Sequence, residues 1–347
     1  MTDPAHIHVF PPDALPGIPA DVESLLRSFG GPSWIEQRGH NHSRRRLVAT
    51  LLHGNEPSGV RAVHAWLRSG RVPAVDTVFY IGSIRAALAP PGFAHRFLPG
   101  ERDANRCYGL PADDVQGRTA GAFTDLFRRR RFEAVIDIHN TTGHNPVYGV
   151  GFGVDPARLR LTTLFGEWYM NSNLTLGTLV EMTSASCPSI AVETGRAGDR
   201  AADVAAWTGL ERFLTLDDLG LDRSGDPPPL PADRVLNDPV RVSIAPQLTL
   251  AFGDAADPQI DLTLRADIDR HNFECIDAQT AIGWLRPGAQ WPLVAHCADA
   301  LEHSRDMFEL RDGTLYTRRP MVPVMMTTDP GIARSDCLFY AMAPAAG

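Results

Sequence analysis

A histidine and a glutamate three residues apart, His53 and Glu56, stand in the segment RLVATLLHGNEPSG, where an apolar run gives way to Gly, Asn and Pro. Imidazole nitrogen and carboxylate oxygen are both zinc ligands, and a single turn can offer the two to one ion. A catalytic zinc keeps one position open for water, so a third protein ligand has to come from elsewhere. FEAVIDIHNTTG supplies a candidate in His139, at the end of a second apolar run. Strand residues two apart share a face, so Asp137 points with His139 and can accept the proton of an imidazole nitrogen that holds no metal. Each motif alone also fits a plain strand end with a satisfied histidine; it is the pair that argues for a metal.

Residues meant to meet at an ion need a scaffold. RRLVATLL, TVFYIGSI and FEAVIDIHN read as strands. They alternate with helical patterns, one over Ser58 to Ser69 and one carrying Ala122, Phe123, Leu126 and Phe127. That alternation predicts an α/β sheet. The turn after LVATLL then lies at the carboxyl end of a strand, where open α/β sheets place their ligand crevices. At Arg223 to Arg234, RSGDPPPLPADR packs in four prolines, which forbid a helix and predict an extended linker. Beyond it VRVSIAPQLTLAF, IDLTLRADI and GTLYTRRPMVPVMM alternate apolar and polar residues, the pattern of half-buried strands. The expected division is an α/β domain over 1–222, a linker over 223–234 and a β-rich domain over 235–347.

Composition narrows the function classes. With 44% hydrophobic and 21% charged residues among 347, the chain has the apolar content of a globular protein and no disordered bias. Its net charge of -8 argues against a nucleic-acid partner, and the clusters Arg44 to Arg46 and Arg128 to Arg131 read as solvated element ends. Five cysteines without a CxxC pair indicate neither a disulfide framework nor a zinc knuckle, and a reducing compartment is expected. The N-terminus lacks a charged and apolar leader and no run approaches the roughly 18 apolar residues of a membrane span, so a cytoplasmic protein with no membrane partner is expected.

Four motifs in order, HGNEPSG at His53 to Gly59, RF followed by RDANR at Arg96 to Arg106, DIHNTTG at Asp137 to Gly143 and VETG at Val192 to Gly195, resemble the succinylglutamate desuccinylase and aspartoacylase family of zinc carboxypeptidase-like hydrolases. A weaker likeness surrounds Asn272 and Phe273. The resemblance implies a mixed sheet wrapped by helices, then a smaller β-rich C-terminal domain that narrows the site. It implies one zinc per chain on His53, Glu56 and His139, and Glu193 as general base. It also implies that Arg96 polarises the scissile carbonyl and that Asn105 and Arg106 grip a substrate carboxylate. Asn140 and Arg196 are further expected substrate contacts.

The chemistry asks for these residue types independently. An amide is a poor electrophile, so water has to be activated and the carbonyl polarised together. Glu193, ending the run SIAV, can move the proton to the leaving nitrogen; paired with Arg196 it would instead be a structural carboxylate. The planar fork of Arg106 suits a carboxylate, unless a surface ion pair engages it. His64 reads as the edge of a helical face and Cys107 as a buried thiol, while His40, His42, His271 and His303 have no partner at ligand spacing.

Two departures bear on substrate. Where acidic-substrate relatives place an arginine ten residues before the general base, this chain has Thr183. The tail, TTDPGIARSD, lacks the tyrosine that aspartoacylases contribute. The implied function is therefore a zinc-dependent amidohydrolase, a deacylase of an N-acyl amino acid or related small amide, with self-association left open. A metallocarboxypeptidase or γ-glutamyl-type peptide hydrolase is the alternative enzyme, and a non-catalytic binding protein on the same fold the alternative of another class.

Overall fold

The computed structural model describes residues 5–12, 14–15, 17–110, 112–222, 229–297, 301–302 and 304–344. Strands and helices alternate through the first part of the chain: β1 (His8–Phe10), α1 (Val22–Phe29), β2 (Ser33–Gln37), β3 (Asn41–Thr50), α2 (Ser58–Ser69), β4 (Val75–Ile81), α3 (Ile84–Leu88), α4 (Val115–Arg128), β5 (Ala134–Thr141), β6 (Tyr148–Gly151), α5 (Pro156–Thr163), β7 (Trp168–Asn171), α6 (Leu179–Ser184), β8 (Ser189–Arg196) and α7 (Arg200–Thr215). The chain forms two compact units. Unit 1 takes in Met1–Asn140, Val147–Tyr169 and Thr175–Pro231, and unit 2 takes in Thr141–Pro146, Met170–Leu174 and Ala232–Gly347.

In unit 1 the strands order as β1-β2-β4-β3-β5-β8-β6-β7 in a mixed sheet. β3 runs parallel to both β4 and β5, with Thr50 opposite Ile81 on one side and Ile138 on the other, so their carboxyl ends are level. Leu47, Val48 and Ala49 are wholly buried, as both faces of a central strand covered by helices require. One face packs on α4 through Phe123, whose ring lies 4.5 Å from Tyr80 and 5.8 Å from Trp34. The helix expected over Ser58 to Ser69 is α2, which packs on α7 and ends at Gly70 in the left-handed conformation.

Arg46 corrects the expectation of a solvated arginine cluster. Its side chain is completely buried, with Nε on Glu133, Nη1 on the Phe213 and Leu216 carbonyls and Nη2 on the Asp217 carbonyl. It thereby caps the C-terminal end of α7, where carbonyls lack helical partners and a cation is favoured. Of the second cluster, Arg128, Arg129 and Arg131 are exposed. Arg130 pairs with Glu36 and lies over Trp34.

Unit 2 carries β9 (Val235–Asn237), β10 (Val240–Ile244), β11 (Leu250–Gly253), β12 (Leu262–Arg265), β13 (Ala281–Leu285), β14 (Leu293–His296), β15 (Leu301–Glu302), β16 (Phe308–Arg311), β17 (Thr314–Thr317), β18 (Val322–Val324) and β19 (Phe339–Met342). They form two five-stranded sheets, β15-β14-β10-β19-β18 and β11-β12-β13-β17-β16, with a core that includes Val242, Leu262, Leu264, Phe308 and Phe339. The segment Thr141–Pro146 is bonded into this unit: Thr142 to Thr327, His144 to Asp269, and Asn145 to the Met325 amide. Of the proline-rich stretch, residues 223–228 lie outside the described residues, as does His303; Leu230 is buried and Ala232–Arg234 form a 3-10 turn. No helix among the described residues is long and apolar enough to cross a membrane.

Candidate metal centre

Past Thr50 the chain leaves β3 through Leu51, which takes a left-handed φ of 55° that a branched side chain rarely adopts. The turn and the start of α2 are packed too closely for a side chain at Gly54 or Gly59. A Cβ on Gly54 would lie 2.6 Å from the Ala87 nitrogen, and one on Gly59 would lie 2.1 Å from Thr50 Oγ1. This backbone geometry turns His53 and Glu56 toward the end of β5, where His139 sits.

His53 Nδ1 lies 2.8 Å from one oxygen of Glu56, and His139 Nδ1 lies 2.7 Å from the other. All three side chains are buried, and their ligand atoms lie within 4.8 Å of one another. Among the described residues this is the one such group of His, Cys, Asp and Glu. The far nitrogens are fixed as well, His53 Nε2 by Asp103 at 3.0 Å and His139 Nε2 by Asp137 at 2.8 Å. A carboxylate behind each imidazole sets the tautomer that leaves Nδ1 free for a metal and raises its basicity, so the donor set fits zinc.

The buried charges also set one another's proton affinities. Burial and Arg96 lower the affinity of His53 for a proton, but Asp103 and Glu56 outweigh them and its pKa rises. Burial likewise opposes a proton on His139, and Asp137 with Glu56 carries its pKa well above the ordinary value. Burial would raise Glu56, yet the two imidazoles hold it well below the carboxylate range. Glu193 differs: burial, only partly offset by His139, pushes it up to about 7, and its Oε2 has no hydrogen-bond partner among the described residues. It lies within β8, directly across from Tyr148 of β6.

The other expected residues divide. Arg96 donates to Asp103 through Nε at 3.1 Å and Nη2 at 2.9 Å, with Nη1 3.5 Å from Glu56. Asn105 is buried; its Oδ1 accepts from the Leu179 amide and its Nδ2 lies 3.5 Å from His139 Nε2. Arg106 is half-buried, with Nη1 on the Asn105 carbonyl. Asn140, expected at the substrate, instead spends its amide inside the protein, on Ser58, Thr194 and Gly195. Arg196 is exposed at the end of β8, and no hydrogen bond among the described residues ties it to the cluster. Thr183 is wholly buried, and its hydroxyl donates to the Val180 carbonyl within α6. His64 is buried with Nε2 2.9 Å from the Pro19 carbonyl, and the buried Cys107 thiol, raised by burial, donates to the Asp103 carbonyl. Asp103 is the residue that sequence reasoning passed over, although it stands inside RDANR.

No family model matches the chain, and no curated protein does. Solved structures do match, and they share the desuccinylase and aspartoacylase fold. The succinylglutamate desuccinylase/aspartoacylase of Rhodobacter sphaeroides superposes with a TM-score of 0.54 at 15% identity, covering 89% of this chain and 88% of that one. Murine aminoacylase 3 gives 0.53 at 18% identity, over 88% and 96%. The ectoine utilization protein EutE (DoeB) of Ruegeria pomeroyi, in a product-bound structure, gives 0.54 at 12% identity, over 89% and 87%. At these identities the likeness is one of fold.

Proposed function

We propose that the protein is a zinc-dependent amidohydrolase that removes the acyl group from an N-acyl amino acid or related small amide. The observation that carries this reading is the convergence of His53 Nδ1, His139 Nδ1 and the Glu56 carboxylate in a buried cluster, each imidazole backed by its own carboxylate. Names of the fold neighbours, among them an aminoacylase and a desuccinylase, support the reaction class. When bound, zinc supplies a Lewis acid that activates water near neutral pH and polarises an amide carbonyl.

The chain's own residues do the rest. Glu193, with a carboxyl raised to about 7 and an unengaged oxygen, takes the proton from the attacking water and passes it to the leaving nitrogen. Arg96 turns its guanidinium toward the carbonyl oxygen as charge develops there, an effect of about 3 kcal/mol for one donor. Asn105 and Arg106 hold a single substrate carboxylate, Arg106 through its planar fork. Thr183, sealed inside α6, gives no second cation for a doubly acidic substrate.

Metal analysis and turnover test the reading together. Purified protein is expected to hold about one zinc per chain, and chelation to abolish hydrolysis of N-acyl amino acids until zinc is restored. Full activity in metal-free protein, or a zinc-loaded protein inert toward a panel of N-acyl amino acids and short peptides, refutes it.

A further inference from the structure

We propose that Asn140 is a positioning residue that holds three of the stretches of the metal centre in register, a role that rests on the hydrolase reading above. The candidate site comes from four stretches: the turn after β3, the segment carrying Arg96, Asp103, Asn105 and Arg106, the end of β5, and β8. Asn140 touches all but the second. Its backbone amide donates to Glu56 Oε2 at 3.3 Å. Its side-chain oxygen accepts from the Ser58 amide at 3.0 Å, at the start of α2, where the N-cap residue Pro57 makes no capping bond of its own. Its Nδ2 reaches Ser58 Oγ at 3.0 Å, Thr194 Oγ1 at 3.2 Å and the Gly195 carbonyl at 3.1 Å, beside Glu193.

The network closes on the ligands. Thr194 Oγ1 donates to the His139 carbonyl at 2.9 Å, and Ser58 Oγ donates to Asp203 of α7 at 2.6 Å. With both hydroxyl protons committed, Asn140 must meet those oxygens as a donor and the Ser58 amide as an acceptor. An amide side chain does both; a carboxylate of the same size offers acceptors only. Buried polar groups left without partners are costly, so the arrangement has few alternatives. A side chain engaged on every polar atom has nothing left for a substrate, which is why the role is positioning.

Asn140→Asp, which keeps the volume, and Thr194→Val, which removes the donor to His139 while keeping the shape, test this. Zinc dissociation constants are measured by chelator competition on folded protein, checked by circular dichroism, alongside kcat and KM for substrates with different acyl groups. The expected result for Asn140→Asp is zinc affinity weaker by about 10- to 100-fold, the range seen when groups behind metal ligands are lost. kcat should fall for every substrate alike, with KM little changed; Thr194→Val should shift the same readouts less, in the same direction. Should Asn140→Asp not fold, the Thr194→Val measurement decides. Unchanged zinc affinity in the folded variants overturns the inference, as does a rise in KM for one substrate class with zinc affinity intact, which would put Asn140 on the substrate. A parent protein that binds no zinc brings down the hydrolase reading and this role with it.

Discussion

Two buried charge clusters are built on the same strand and its turn, Arg46 within β3 and the His53 cluster just past its end, and they are finished in opposite ways. Around Arg46 each guanidinium nitrogen donates, to Glu133 or to carbonyls at the end of α7, and the Phe213 ring lies 5.5 Å from the guanidinium carbon. Around His53 the carboxylates of Glu56, Asp103, Asp137 and Glu193 face two guanidiniums, those of Arg96 and Arg106, and two imidazoles. Asp137 Oδ1 and Glu193 Oε2 find no hydrogen-bond partner among the described residues. Buried polar groups that are all matched hold a fold together; an acidic cluster left incomplete is the arrangement that a cation and a reacting proton would complete.

The sharpest way to separate the two clusters is to neutralise the acid proposed to move protons. Glu193→Gln is expected to keep zinc and substrate affinity and to lose several orders of magnitude in kcat. Metal analysis and single-turnover kinetics check this; loss of zinc would mean that Glu193 is a ligand. The opposite substitution, Arg46→Met, is expected to leave zinc binding intact and to cost about 3–5 kcal/mol of folding stability, because Glu133 and the α7 carbonyls lose a buried partner. Denaturant titration reads that loss, and a change below about 1 kcal/mol would show the knot to be dispensable.

Acid–base behaviour should follow the unmatched cluster. Glu193 accepts a proton only when ionised, and burial holds its carboxyl up to about 7. kcat/KM is therefore expected to fall as pH drops through the neutral range, with the charge of a bound ion moving the midpoint to lower pH. A profile that is flat on the acid side, or that rises there, contradicts the assignment. The smallest expected effect concerns substrate: without a second cation, N-acetylaspartate and N-succinylglutamate should be hydrolysed about 10- to 100-fold less efficiently than N-acyl amino acids with one carboxylate. If N-acetylaspartate wins tenfold in the parent and loses that advantage in Arg196→Ala, the exposed Arg196 supplies the missing charge.

The two clusters also differ in how far they could be read in advance. His53, Glu56 and His139 were legible because few residue types bind a metal and each stands where an apolar run ends. Asp137 could be placed from strand periodicity alone. Asp103 could not, since its partner His53 lies fifty positions earlier and only the folded loop brings them together. Arg46 was hidden by its neighbours: in RRR nothing local distinguishes the buried residue from Arg44 and Arg45, and its partners come from the end of α7. Asn140 was assigned by its motif, which says that a residue belongs near a site and not what its side chain does there. The α/β class was legible from alternation, whereas the capture of Thr141–Pro146 and Met170–Leu174 by unit 2 depends on partners far along the chain.

That capture has a consequence in time. The strand that carries His139 runs without a break into Thr141–Pro146, whose hydrogen-bond partners are Asp269, Met325 and Thr327. On a ribosome adding roughly 5–20 residues per second, those partners emerge about 6–40 s after the segment itself. Unit 1 can be complete through Pro231 while the chain leaving β5 still waits for residues roughly a hundred positions further on.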